Sequence, residues 1–371
     1  MKKLSLSLTA ILALLAPWGA QAQTADSTAP PPVRAMAPHV VPTNIPGVYA
    51  FTQPPASFNP LTASKQELQS WGYSPRPEAT EGLDAQIRWL EEVSPKLKRS
   101  VPDLVPRPGV YNRRIQRLKV NGKLANATAA TSANWSGYGL TAGTGQQPFN
   151  KVIGRWTVPT VKQAPGTCSG GWDYSSEWVG IDGFNNDDLL QAGSQADVFC
   201  DIGQSVTEYF PWIEWLPESE LVIYKSAATS TLYPFAPGDY LNVTVTATNF
   251  SGGVSTNGTL SFADVTQGWT FSLTFTAAAL GGSQVTGASA EWIVERTEVG
   301  GSLATLPDYV ANPWFLSQAT DLGGNYYAPG NVHTATAYNI TMLDNSNNPE
   351  SFVDLSGSNV LWFFPEGSAT Q

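Results

Sequence analysis

Histidine is scarce in this 371-residue sequence, and its scarcity excludes several hydrolytic mechanisms. The two histidines are His39 and His333, so only one imidazole follows residue 128. A Ser-His-Asp or Cys-His mechanism then has a single possible base, and no Gly-x-Ser-x-Gly motif accompanies it. The sequence also lacks the His-Glu-x-x-His zinc motif and the Asp-Thr-Gly or Asp-Ser-Gly motifs of paired-aspartate peptidases. We therefore expect a protein that needs no metal and no organic cofactor.

Cysteine is equally rare, since only Cys168 and Cys200 occur. In an exported chain an isolated pair is most simply one disulfide. A zinc site is disfavoured because zinc takes about four ligands and His333 is the only nearby imidazole candidate. The acidic loop at residues 182–188 offers oxygen ligands without the spacing of a helix-loop-helix calcium site, so we interpret it as a turn.

Long hydrophobic runs are missing except at the N-terminus. Lys2 and Lys3 precede an apolar run from Leu4 to Ala16. Ala20-Gln21-Ala22 then supplies the small residues of a signal-peptidase site. The apolar run is too short to cross a bilayer. We predict a signal peptide over residues 1–22 and a soluble secreted protein without a membrane partner, extracellular or, in a Gram-negative source, periplasmic.

Positive charge is concentrated in the first third of the chain. Residues 1–128 hold 15 Lys or Arg against 8 Asp or Glu, a balance of +7, whereas residues 129–371 hold 5 against 22, a balance of −17. The acidic body excludes nucleic acid as a partner. The basic leader predicts a pro-segment at residues 23–128 that docks on the body by charge complementarity, inhibits it, and loosens when carboxylates take up protons.

The leader contains two short helical patterns after a Pro-rich stretch. Residues 23–60 are rich in Pro, Ala and Thr and are expected to be extended or disordered. Ser64-Lys-Gln-Glu67 is a capping-box pattern that opens a helix ending near Trp71. A second helix is indicated by apolar residues at helical spacing, namely Leu83, Ile87, Leu90 and Val93.

The body, residues 129–371, has the pattern of an all-β domain. Short runs of Val, Thr, Tyr, Trp, Phe and Ile alternate with Gly, Asn and Ser turns, as at Tyr240–Thr248. Many short strands in one block of this length predict a sandwich or barrel. Among them, the strand Ala290–Glu295 directs Glu291, Ile293 and Glu295 to one face. A carboxylate buried there must find a partner or change its proton affinity.

Four segments carry a resemblance to a known family. Their residues are Asn134–Tyr138, Trp178–Gly183 with Leu189–Gly193, Trp212–Pro217, and Ala290–Glu295. In this order the segments resemble the Asn-Trp-x-Gly, Trp-Val-Gly-Ile-Asp-Gly, Leu-Gln-x-Gly, Tyr-Glu-Trp-Tyr-Pro and Ala-Glu-aromatic-Ile segments of the glutamic peptidases (eqolisins). The resemblance covers residues 131–296 and implies two stacked antiparallel sheets, a β-sandwich similar to that of lectins.

The resemblance also implies a catalytic dyad, Gln191 and Glu291. Ionised Glu291 can take a proton from a water molecule that attacks the peptide carbonyl, and it can return that proton to the leaving nitrogen. The amide N–H of Gln191 can donate to the oxygen as it becomes negative. An uncharged amide does not raise the pKa of its partner by like-charge repulsion, so the base can stay ionised in acid and we expect acidic operation.

Five further residues are candidates for supporting or substrate-binding roles. Trp135 positions water or substrate, or fills the core. Glu214 is an orienting hydrogen-bond partner in the cleft, or a solvated strand residue. Asp182 has the same orienting role, or forms a turn. Trp178 and Trp212 are expected to line the cleft.

Together these features predict a secreted, monomeric, acid-acting endopeptidase that is insensitive to pepstatin and binds extended protein substrates. The rival is a carbohydrate-active sandwich, either a glycoside hydrolase using Glu214 and Glu291 or a lectin using the tryptophans. The Glu-x-Asp-x-x-Glu and Glu-x-Asp-x-Glu patterns of lectin-like hydrolases are absent from the sequence.

Overall fold

The computed structural model describes residues 39–365, so the predicted signal peptide and the leader up to residue 38 lie outside it. Helix is confined to four short elements in this range. They are α1 (Lys65–Ser70), α2 (Gly82–Glu92) and the 3₁₀ turns Ala79–Glu81 and Ala277–Leu280. Among the described residues, no helix has the length and apolar character needed to cross a membrane.

Strands make up most of the remaining structure. Those of the leader are β1 (Val40–Pro42), β2 (Val48–Phe51), β3 (Lys98–Arg99), β4 (Asp103–Pro106), β5 (Val110–Tyr111) and β6 (Lys119–Lys123). Those from residue 128 onward are β7 (Thr128–Ser132), β8 (Trp135–Thr141), β9 (Phe149–Thr157), β10 (Val161–Lys162), β11 (Gly171–Ile181), β12 (Leu190–Asp201), β13 (Gln204–Trp215), β14 (Leu221–Ser226), β15 (Thr231–Leu232), β16 (Tyr240–Thr248), β17 (Asn257–Asp264), β18 (Trp269–Thr276), β19 (Ser289–Arg296), β20 (Glu298–Val299), β21 (Ser302–Leu303), β22 (Asp308–Tyr309), β23 (Asn312–Asp321), β24 (Tyr326–Tyr327), β25 (Thr336–Leu343), β26 (Pro349–Ser356) and β27 (Val360–Pro365).

The strands form two stacked layers, which confirms the predicted all-β sandwich. The front sheet runs β7–β25–β8–β19–β11–β12–β13–β14, and the back sheet runs β27–β23–β9–β16–β17–β18–β2. Neighbouring strands are antiparallel within both layers except for the parallel pair β7–β25. β26 pairs with β25 and β27 and so connects the two sheets.

Buried tryptophans hold the two layers together. The Trp292 indole N–H on β19 donates to the carbonyl oxygen of Ile153 on β9 at 2.8 Å. The Trp156 indole on β9 donates to the Ser194 hydroxyl on β12 at 3.1 Å. An indole N–H buried between sheets needs such a partner, so these contacts fix how the front sheet sits on the back sheet.

The other face of the front sheet carries a second buried cluster, and we call it the groove face. Trp135, Trp178, Trp212 and Ile293 belong to this cluster and are fully buried. Because strand residues alternate between faces, Glu291 and Glu295 lie on the same side as Ile293. Large aromatic rings therefore surround the polar residues of this face.

The leader is built into the edges of both sheets. β2 pairs with β18 in the back sheet, β4 pairs with β14 in the front sheet, and β6 pairs with β7. Part of the stretch expected to be extended or disordered thus forms β1 and β2. A small core of Leu68, Trp89 and Val93 joins its two helices. The division at residue 128 stays a prediction, because the described leader packs as part of the sandwich.

Both predicted leader helices are present, but the buried side of the second is not the expected one. Ser64 caps α1 with a reciprocal Ser64–Glu67 capping box, as predicted. In α2, Leu83 and Leu90 are 70% and 50% exposed, while Trp89 is buried. The apolar spacing indicated the helix correctly, but of its four residues only Val93 is buried. The larger indole side chain occupies the space beside Leu68 instead.

The predicted disulfide is confirmed. Cys168 and Cys200 are bonded, with their Cα atoms 4.8 Å apart. Cys200 lies near the end of β12 and pairs in register with Gly171, the first residue of β11. The bond therefore joins the loop before β11 to the far end of the two strands that carry much of the groove face.

The position of Gly193 on the groove face has no room for a side chain. A Cβ atom there would lie 2.0 Å from the carbonyl oxygen of Glu177 and 2.6 Å from Cβ of Trp178. We expect Gly193→Ala to lower the free energy of unfolding by about 1–3 kcal/mol or more, because backbone must move. Gly171→Ala, where a Cβ meets nothing within 4 Å, should change it by less than about 0.5 kcal/mol. Equal effects in urea titrations would contradict this packing.

Candidate active site

Gln191 and Glu291, the predicted dyad, flank one glycine on the groove face. Gly180 on β11 pairs in register with Gln191 on β12 and with Glu291 on β19. Paired residues of adjacent strands point to the same face. Both side chains therefore lie on the groove face, separated by a strand position without a side chain. Glu214 on β13 pairs with Gln191 from the other side.

Gln191 donates its amide hydrogens to two acceptors. Its Nε2 lies 2.7 Å from Oε2 of Glu214 and is also hydrogen-bonded to the carbonyl oxygen of Asn112. The same carboxyl oxygen of Glu214 accepts from the backbone N–H of Asn112 at 3.0 Å. Burial, with a contribution from Glu220, raises the pKa of Glu214 well above its usual value. Gln191 and Glu214 thus bind the main chain of one leader residue.

The leader crosses the groove face at residues 107–116, which we call the strap segment; it makes a turn at residues 108–109 and then enters the short strand β5. Within it, β5 pairs with β20 at the edge of the groove. The backbone N–H of Gly300 also donates to the carbonyl oxygen of Gly109 at 2.9 Å. Adding an extended strand to a sheet edge is a common way for a protein to bind a peptide.

The peptide group between Asn112 and Arg113 is held at both ends. Its carbonyl oxygen accepts from Gln191, and its N–H donates to Oε1 of Glu295 at 2.9 Å. Glu295 also accepts from Nδ2 of Asn134 at 2.9 Å and from the indole of Trp178 at 2.9 Å. Burial raises the pKa of Glu295 well above its usual value, and these hydrogen bonds oppose that rise.

Trp135 and Asn134 bind the next part of the strap segment. The Trp135 indole donates to the carbonyl oxygen of Arg113 at 2.9 Å. Nδ2 of Asn134 donates to the carbonyl oxygen of Arg114 at 3.2 Å. Trp135 also packs edge-on against Trp178, with ring centroids 5.0 Å apart. Trp135 is therefore a packed core residue whose indole also donates to the main chain of the strap segment.

Glu291 has different surroundings. It is fully buried, and burial raises its pKa well above the usual value, while the Ser289 hydroxyl lowers it and Asp182 raises it further. No described hydrogen bond or ion pair joins Glu291 to the strap segment. Register thus brings Glu291 beside Gln191, whereas Glu295, four residues later on the same face, contacts the peptide group that Gln191 binds.

Asp182 and Trp212 have structural contacts. Asp182 has a left-handed backbone, with φ of 73°, and accepts from the backbone N–H groups of residues 286–288. Its contacts fit the turn-forming alternative and connect the loop after β11 to the chain entering β19. Trp212 is fully buried and pairs in register with Gly193, so it lines the floor of the groove face.

Basic residues of the strap segment meet carboxylates of the body. Arg107 contacts Asp197 at 3.0 Å and Glu220 at 2.9 Å, and both of these carboxylates are 0% exposed. Burial raises the pKa of each, and the Arg107 guanidinium opposes the rise. Nearer the surface, Arg113 pairs with Glu298 at 3.0 Å. The expected charge complementarity is therefore present as specific ion pairs.

Within residues 39–365, no group of three or more His, Cys, Asp or Glu side chains could hold an ion. In the acidic loop at residues 182–188, the Asp182 carboxylate already accepts from three backbone N–H groups, in keeping with a turn.

Several residues of this site were not singled out from the sequence. Glu295 lies on the same strand face as Glu291, and that face could be read from alternation alone. Arg107, Asn112 and Glu220 carry no local signal, because their roles depend on how the leader crosses the groove. Only the clustering of basic residues in the leader indicated that such contacts would form.

Comparisons with known proteins relate this chain to a peptidase family. The model of the peptidase A4 family matches residues 133–361. The chain is 32% identical to aspergillopepsin-2 of Aspergillus niger over 230 residues, which span 58% of this chain and 72% of that protein. The crystal structure of aspergilloglutamic peptidase from Aspergillus niger aligns with a TM-score of 0.41 at 25% identity, covering 52% of this chain and 99% of that chain.

Replacing Asp182 should lower the stability of the fold but have little effect on the rate of hydrolysis. Asp182→Ala removes the acceptor of three buried N–H groups, so we expect a loss of about 1–3 kcal/mol in the free energy of unfolding. Hydrolysis per folded molecule should stay within a few-fold of the unchanged chain. Asp201→Ala, at an exposed strand end, is the matched control. An inactive but fully stable Asp182→Ala variant would instead give this carboxylate a role in hydrolysis.

Proposed function

The chain belongs to the peptidase A4 family and is a glutamic endopeptidase, and we propose that it hydrolyses extended polypeptides in acid with Gln191 and a glutamate of β19. The family match removes the carbohydrate-active alternative. The Lys-Lys start, apolar run and small-x-small site of the sequence support export from the cell. Protein chains are its substrates, and we expect a monomer.

We propose Glu295 as the acid of the pair. The observation that carries this proposal is the Asn112–Arg113 peptide group, whose oxygen is bonded to Gln191 and whose nitrogen is bonded to Glu295. A hydrolase must stabilise negative charge at the first atom and deliver a proton to the second. Gln191 already donates to the first atom, and Glu295, which accepts the N–H of the intact bond, lies within reach of the second.

Hydrolysis then follows from the contacts of each side chain. Ionised Glu295 takes a proton from a water molecule that adds to the carbonyl carbon, while the Gln191 amide donates to the oxygen that becomes negative. Glu295 next passes the proton to the leaving nitrogen, and the C–N bond breaks. Hydrogen bonds from Asn134 and Trp178 oppose the rise that burial causes in the pKa of Glu295, so they increase the share of its ionised form. Glu214 orients the Gln191 amide.

Glu291 remains the second candidate for the acid. Its register beside Gln191 across Gly180 favours it, as does the resemblance from which it was predicted. The two assignments differ in which of the two glutamates hydrolysis requires, and substitutions can test this. If Glu295 is the acid, Glu291 is a buried carboxyl near the Ser289 hydroxyl and the Asp182 carboxyl.

Three single substitutions separate these assignments. Gln191→Ala and Glu295→Gln should each lower kcat/KM on a denatured protein near pH 3 to 4 by at least about 100-fold. Glu291→Gln should retain activity within about tenfold, because its amide preserves the volume of the buried carboxyl. Pepstatin should inhibit none of the active forms.

The controls for this experiment are structural. Unfolding midpoints and circular dichroism of each variant must match those of the unchanged chain, so that a loss of activity is a loss of chemistry. An inactive Glu291→Gln together with an active Glu295→Gln would restore Glu291 as the acid. Full activity of Gln191→Ala would refute the dyad itself.

We further propose that the leader keeps the enzyme inactive through the strap segment and that acid releases it. Burial raises the pKa of Asp197 and Glu220, and Arg107 opposes that rise. These raised pKa values do not themselves supply the release, because a docked state with raised carboxyl pKa values binds more protons than one with exposed carboxyls. The release rests instead on net charge: the leader carries +7 and the body −17 at neutral pH, and their attraction falls as the other carboxylates of the body take up protons.

Arg107→Gln should activate the enzyme at a higher pH than the unchanged chain requires. Removing one partner of a buried charge pair weakens docking by about 2–5 kcal/mol, so the segment should leave at milder acidity. Lys119→Gln, an exposed leader residue, is the matched control. The measurement is the onset of hydrolysis of a fluorogenic protein substrate across a pH series. Coincident curves for the two variants would contradict the role given to Arg107.

A further inference from the structure

We propose that Glu220 and Thr297 form a subsite that recognises the side-chain carboxamide of asparagine in the residue immediately before the cut bond. This inference rests on the proposed function, because it takes the Asn112–Arg113 peptide group as the stand-in for a substrate bond. It adds a substrate preference that the dyad alone does not provide. The strap segment thereby shows how the groove binds a side chain as well as a main chain.

The Asn112 side chain is held by both of its polar atoms. Nδ2 donates to Oε2 of Glu220 at 3.0 Å, and Oδ1 accepts from the Thr297 hydroxyl at 3.3 Å. Asn112, Glu220 and Thr297 are each 0% exposed. A carboxylate and a hydroxyl of the body therefore match the donor end and the acceptor end of one amide group.

A further contact determines that the Thr297 hydroxyl donates to Asn112. Nε2 of Gln195 on β12 donates to the Thr297 hydroxyl at 3.0 Å. Because that oxygen already accepts a hydrogen bond, its own hydrogen is free to point at Oδ1 of Asn112. Glu220 is correspondingly turned with one oxygen toward Arg107 and the other toward Asn112. Glu220 lies just before β14 and Thr297 just after β19, so both ends of the subsite stand on ordered backbone.

Other side chains of similar size fit this subsite less well. A leucine would leave the Thr297 hydroxyl and a Glu220 oxygen buried without partners, which costs more than the apolar contact returns. A residue with a donor and an acceptor in one short planar group satisfies both ends.

In the proposed reaction a water oxygen bonds to the carbonyl carbon of the asparagine, and the bond from that carbon to the following nitrogen breaks. The nitrogen takes the proton and leaves as an amine, and the asparagine becomes a C-terminal carboxylic acid. No oxidant, reductant or other co-reactant is involved. The side-chain amide is bound and is not consumed.

The first test is a cleavage profile. The full chain is activated in acid and incubated with a mixture of denatured proteins, and the new termini are read by mass spectrometry. Asparagine should be enriched at the position before the cut. Two synthetic peptides with the sequence of residues 107–116, one natural and one with leucine in place of Asn112, should differ in kcat/KM by at least about tenfold in favour of asparagine.

The second test changes the subsite. Thr297→Val keeps the shape and removes the hydroxyl, so it should lower the asparagine-to-leucine ratio of kcat/KM by about tenfold, mostly through KM. Thr297→Ser restores the hydroxyl and should restore the ratio. Thr259→Val, on β17 of the back sheet, is the matched control and should leave it unchanged.

The outcomes distinguish this inference from the proposed function. An unchanged ratio in Thr297→Val, or a cleavage profile without asparagine enrichment from an enzyme that Gln191→Ala inactivates, would overturn the asparagine subsite and leave the dyad standing. Absence of any cleavage by the unchanged, acid-treated chain would overturn the proposed function first.

Discussion

The structure depends on how buried polar groups on one face of a sheet are satisfied. Gln191, Glu214 and Glu295 lie among tryptophans on the groove face, where an unpaired amide or carboxyl costs about 1–3 kcal/mol or more. Main-chain groups of the strap segment bond to each of them. The groove therefore favours an extended peptide because its own polar atoms are incomplete without one.

Much of the fold could be predicted because its signals are local. The alternating pattern of the body indicated strands, two cysteines indicated their bond, and the Ser64–Glu67 box indicated the start of a helix. The buried side of α2 was missed, because spacing alone favoured Leu83 and Leu90 over the single larger Trp89. Which side of a short amphipathic helix is buried depends on the surface it meets, and that surface comes from distant parts of the chain.

Some residues of the candidate site could likewise be found from local sequence, and others could not. Short motifs brought Gln191, Glu214 and the Ala290–Glu295 strand into view, since each motif is contiguous in the sequence. Alternation placed two glutamates on one face without deciding between them, because the choice depends on where a peptide nitrogen lies. Asn112 could not be singled out at all: its contacts join residues about a hundred positions apart or more.

The leader's pairing with both sheets has a consequence for the step after cleavage. A break beside Asn112 would leave the upstream piece anchored by β2 and β4, while residues from 113 onward stay covalently joined to the body. A nicked molecule therefore keeps its own product beside the groove at a high effective concentration. Cleavage of the chain and the appearance of activity are therefore separate events. Activity appears only after β2 and β4 dissociate from the edges of the two sheets.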